Sequence, residues 1–115
     1  MTTLEPNSTK LQTQLSHIYF ELHPSVQKVI QLFSVIYTPI DKNSFVSCIS
    51  KTGALDENNK PWGTKTLSPQ IDKLLKAGLL VQSSRQGAEC HPLLIEIATR
   101  HAVQTGQFEI LVTAV

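Results

Sequence analysis

Five basic side chains, Lys60, Lys65, Lys73, Lys76 and Arg85, fall between residues 60 and 85, a stretch that holds one acid, Asp72. The local balance is +4, while the remainder of the chain, with five basic and eight acidic residues, carries −3. Cations gathered along one segment are the residue types that pair with phosphate. The alternative is solvation alone, since lysines on an outer helix face also keep it soluble.

Other chemistries find less support. His17, His23, His91 and His101 form no HxxxH or HxH pair, and Cys90 beside His91 does not make a tetrahedral set, so no metal is expected. His91 precedes Pro92 and reads as a helix-start residue. "DENNK" (56–60) alternates oxygen ligands but lacks the later Gly and the closing Glu of a calcium loop. There is no Gly-rich phosphate loop. Nucleophile and base pairs can be assembled only arbitrarily, so neither catalysis nor a cofactor is expected. Trp62, the only tryptophan, sits between Pro61 and Gly63 in a polar loop. It serves either as an interface anchor or, as is more usual, as a plug folded back onto the core.

The 115 residues carry a net charge of +1 and 41% apolar side chains, which fits one globular domain that buries roughly two-thirds of its unfolded surface. Cys48 and Cys90 are the only cysteines and form no CxxC pair, which fits reduced thiols rather than a disulfide framework. No signal-like start and no apolar run of about 18 residues is present, so a cytoplasmic protein without a membrane partner is expected.

The elements that must position the cations follow from periodicity. Residues 1–9 read as a flexible leader. From Lys10, Leu11, Leu15, Ile18, Tyr19 and Leu22 fall at helical spacing. Pro24 opens a second helix, whose apolar positions Val26, Val29, Ile30, Leu32, Phe33, Val35, Ile36 and Tyr37 spread beyond one face and predict a central location. Pro39 ends that helix, Asp41 caps a third, and Gly53 closes it. After the loop "ALDENNKPWG", a fourth helix over 64–76 turns Leu67, Ile71, Leu74 and Leu75 inward. "GLLVQSS", "RQG" and "AEC" predict a hairpin across 79 to 90 that pairs Val81 with the region of Glu89. A fifth helix begins at Pro92 and stops before Gly106.

This order, with the phrase "IDKLLKAGLLVQSSRQGAECHP", resembles the winged-helix superfamily of helix-turn-helix domains, on Leu74, Leu75, Ala77, Gly78, Leu79 and Leu80, over roughly residues 24 to 104. The resemblance implies a mainly α fold with a small β-hairpin, here a winged helix-turn-helix with an extra N-terminal helix, spanning 10–106. It implies that the outer face of the 64–76 helix meets the major groove, with Thr64, Lys65, Ser68, Lys73 and Lys76 as nucleic-acid-binding residues and Arg85 of the 83–87 wing on the backbone. Asp72 lies among them and opposes an anion. The inserted loop between the third and fourth helices departs from the family's short turn.

Two function classes follow. One is weak duplex DNA binding, as in transcription regulation. The other is a protein-interaction or regulatory module inside a larger protein. The apolar end "FEILVTAV" points to the second, since residues 107–115 would contact an adjoining domain, a protein partner or, in a homodimer, a second copy.

Overall fold

A computed structural model of the chain describes residues 6–36, 38–82 and 87–115, with the backbone path alone for 6–9. Helix α2 (Pro24–Ile36) organises the fold. Val26, Val29, Ile30, Leu32 and Phe33 are buried, and so are Ser25, Gln31 and Ser34, because neighbours cover this helix on more than one side. α5 (Pro92–Gln104) packs along it, and α1 (Pro6–Glu21) packs on α5 and reaches α2 through hydrogen bonds from Gln27 and Gln31 to Tyr19. α1 starts at Pro6, ahead of Lys10 where the apolar spacing begins, with proline in the first turn where its missing N–H costs nothing.

α3 (Lys42–Thr52) begins as expected: Asp41 accepts a hydrogen bond from the Ser44 N–H at 3.1 Å, and Gly53 ends the helix at φ +72°. The Phe45 ring stacks on Phe33 with centroids 3.9 Å apart and fastens α3 to α2. α4 (Thr64–Ala77) buries Leu67, Ile71 and Leu74 in the same core. It stops at Gly78, whose φ of +85° lies where residues with a Cβ are strained.

The turn at Gly78 sends the chain into β1 (Leu80–Gln82), which pairs antiparallel with β2 (Ala88–Cys90) in the register Leu80–Cys90, Val81–Glu89, Gln82–Ala88. The expected hairpin and its Val81–Glu89 pair are therefore present. Ile40 adds a bridge that periodicity did not announce: its N–H and C=O each bond Ala88 at 3.0 Å, extending the hairpin by one residue on the side of α2 and α3. The architecture is thus mainly helical with one small antiparallel hairpin.

The loop between α3 and α4 is closed on itself. Buried Asp56 accepts from the N–H groups of Asn58 at 2.8 Å and Lys60 at 3.1 Å, while Leu55 bridges Pro61. Asn59 takes the left-handed conformation at φ +62°, which Asn tolerates better than most residues. Trp62 then folds inward and is buried, as the plug reading expects. The C-terminal segment yields a further element, α6 (Phe108–Ala114), whose Leu111 joins the core and which packs on α3, α2 and α5. No helix among the described residues is long and apolar enough to cross a membrane.

Polar groups inside the helical layer are joined across elements. The Tyr19 hydroxyl lies 2.7 Å from His101 Nδ1, and Gln31 Nε2 donates to that hydroxyl at 2.9 Å, so α1, α2 and α5 meet at one network. Burial pushes the Tyr19 phenol from its ordinary 10.0 up to about 12, against a smaller opposing effect of the Gln31 hydrogen bond. Burial also pushes the Cys90 thiol up to about 12.

Two predictions follow from this packing. Leu74→Ala is expected to cost about 2–5 kcal/mol, and Leu75→Ala, on a half-buried side chain, clearly less; urea denaturation of both variants checks the facing of α4. Tyr19 and Cys90 are uncharged when protonated, and the folded chain keeps those protons at pH values where the unfolded chain has released them. Stability is therefore unaffected by them below about pH 9 and falls as pH rises toward about 12. Tyr19→Phe is expected to shallow this alkaline decline, measured as the urea midpoint at about pH 8 and about pH 11.

Candidate nucleic-acid interface

Because α4 turns Leu67, Ile71 and Leu74 inward, the helical repeat places Lys65, Pro69, Asp72 and Lys76 along one outward stripe at i, i+4, i+7 and i+11, with Lys73 beside it. All five are exposed. Thr64, at the first turn, is also exposed. The start of α4 is held by the Thr66 hydroxyl, which accepts from the Gly63 N–H at 3.0 Å. Pro69 lacks an N–H, so the Lys65 carbonyl has no helical donor four residues on.

Ser68 and Asp72 take part in a contact that sequence spacing did not reveal. Lys42, the first residue of α3, donates from Nζ to Ser68 Oγ at 2.9 Å and to Asp72 Oδ1 at 3.1 Å. The two ion-pair side chains are 41% and 58% exposed, a setting in which solvent screens the pair and its effect on stability is small. Its effect on the surface is larger. The acid that opposed an anion in the middle of the stripe is paired, and the paired lysine joins the same face. Ser68, half-buried, accepts from Lys42 and keeps its own hydroxyl proton for another acceptor.

The sequence-predicted set therefore divides. Thr64, Lys65, Lys73 and Lys76 share the exposed surface of α4, and Ser68 lies at its border with α3. Arg85, with most of the 83–87 wing, lies outside the described residues; Gly87 is buried where β2 begins. Beside the interface, between the start of α3, Thr64 and the hairpin base at Gln82 and Ala88, an open cleft of about 460 Å³ is floored by Phe33, Ile40 and Ile71.

Lys42 is the residue that sequence reasoning missed. Its only signal was an unassigned cation one position after a helix cap, and 30 residues separate it from Asp72. No family model, no curated protein and no solved structure matches this chain.

Proposed function

We propose that the chain is a winged helix-turn-helix module that binds duplex DNA weakly through the outer face of α4. The observation that carries this reading is the pairing of Asp72 by Lys42, because it leaves Lys65, Lys73 and Lys76 as the unopposed charges of an exposed helix face. The element order supports the fold assignment: α2, the Ile40 bridge, α3, α4 and the β1–β2 hairpin follow the order of a winged helix, with α1 added in front. In this reading Lys65, Lys73 and Lys76 contact phosphates, Thr64 and Ser68 supply neutral donors, and Arg85 reaches the backbone from the wing. The extra loop does not obstruct the unit, since Asp56 and Trp62 fold it onto its own domain.

With so few cations, binding is expected at micromolar Kd or weaker at physiological salt, and largely independent of sequence. Replacing Lys65 and Lys73 together by Gln is expected to lower the slope of log K against log salt by about one for each charge removed. Fluorescence anisotropy with a labelled duplex over a salt series checks this. An unchanged slope would place the contact elsewhere on the chain, and no binding even at low salt would favour a protein-interaction role.

A second reading has its own observation. Ile110, Val112 and Val115 are 45%, 46% and 62% exposed, and Val112 and Val115 border a groove of about 420 Å³ with Val35, Ile95 and Phe108. Clustered exposed apolar residues mark contact surfaces, and a second copy of the chain is the occupant we assign here. A stable contact would bury at least about 1,000 Å² in total. Light scattering of the 115-residue chain is expected to show a concentration-dependent dimer that Val112→Glu abolishes without lowering the melting temperature. A strictly monomeric wild type at high concentration would remove this reading.

A further inference from the structure

Asp72 stands in the middle of a stripe otherwise built for phosphate, and its pairing is unusual for that position. Lys76 lies one helical turn away, at i+4, where a surface acid ordinarily finds its partner. The carboxylate instead meets Lys42 of the neighbouring helix, 30 residues distant, at 3.1 Å. Lys42 is itself fixed by a second bond, to Ser68 Oγ at 2.9 Å, so its ammonium links two residues one turn apart on α4. Oδ1 is thereby drawn toward α3, and among the described residues Oδ2 accepts no hydrogen bond.

We propose that Asp72 is a base-reading residue that selects cytosine in the major groove, and that Lys42 is its positioning residue. The inference rests on the duplex-binding reading above. A carboxylate only accepts hydrogen bonds. In the major groove the edges of guanine and thymine present acceptors, and adenine sets its N7 acceptor beside its N6 donor, whereas cytosine presents its N4 amino group without a neighbouring acceptor on the same base. The free Oδ2 therefore matches cytosine and is repelled by the other edges. Phosphates would repel a lone carboxylate from the groove; the Lys42 ammonium bonded to Oδ1 lets the acid enter as one half of an ion pair. This adds one point of selection to a binding mode that is otherwise sequence-independent.

The test is a duplex library with a randomised segment, bound by the 115-residue chain at low salt, with the bound fraction sequenced. Wild type is expected to enrich cytosine at one position by about five-fold, the low end of what one base contact contributes. Asp72→Asn exchanges an acceptor for a donor–acceptor pair that suits adenine N6 and N7. Its enrichment is expected to move to adenine at that same position. Lys42→Met is expected to shrink the cytosine preference and Lys42→Arg to restore it, a readout that loss of a merely structural bond would not move. Both positions are on the surface, and a thermal melt confirms that each variant is folded.

Binding by wild type with no base preference, or the same preferred bases in wild type and Asp72→Asn, overturns the inference and leaves the duplex-binding reading standing. Failure of wild type to bind any duplex at low salt overturns both.

Discussion

The need to cover α2 on more than one side is the constraint on which the rest of this structure depends. A helix that buries Val26, Val29, Ile30, Leu32 and Phe33 has apolar side chains around more than one face, so a single layer cannot shield it. α5 packs along it, α1 reaches it through the Tyr19 hydrogen bonds with Gln27 and Gln31, and α3 covers it through the Phe33–Phe45 stack. β2 and α6 supply further contacts. Enclosure also traps polar groups. Ser34 bonds back to the Gln31 carbonyl at 2.7 Å and receives the Thr99 hydroxyl at 3.2 Å, and the Gln31 amide nitrogen reaches Tyr19. Gln31 Oε1 finds no partner among the described residues, a cost of about 1–3 kcal/mol that the surrounding apolar burial offsets.

Local pattern carried most of the helical order. Apolar spacing, Asp41, Gly53, Gly78 and Pro92 mark starts and stops because capping and left-handed glycines are decided within a few residues of the chain. His91 likewise accepts from the Leu93 N–H at 3.1 Å, as its place before Pro92 suggested. The hairpin register was legible because its two strands are close together in sequence. α6 was not: "FEILVTA" is too short to display a helical repeat, and only its packing on three other helices distinguishes it from an apolar tail. The Ile40 bridge and the Lys42–Asp72 pair were hidden for a related reason. Each joins residues far apart in sequence, and neither leaves a periodic trace.

The candidate interface shows the same division. Its exposed members on α4 followed from the helical repeat, whereas the charge state of the face depended on a residue of another helix. Reading Asp72 along α4 alone makes it an obstacle to an anion. Seen with Lys42, it is a paired acid on a face that gains a cation. Local charge counting over residues 60 to 85 could not include Lys42, because the sum was bounded by sequence rather than by distance.

The two sides of α4 answer to different physics, and that makes its chemistry separable from its stability. Leu67, Ile71 and Leu74 are set in the common core, where deleting side-chain volume costs both transfer free energy and a cavity. Among the described residues, the side chains of the outer stripe bond to the rest of the domain through Lys42, and surface substitutions of this kind change stability by about 0.5 kcal/mol or less. The core can therefore hold the helix at a fixed orientation while the residues facing outward vary. A loss of binding in a folded variant of Lys65, Asp72, Lys73 or Lys76 consequently reports on contact with a partner. The same loss in a variant of Leu74 would report on the position of the helix itself.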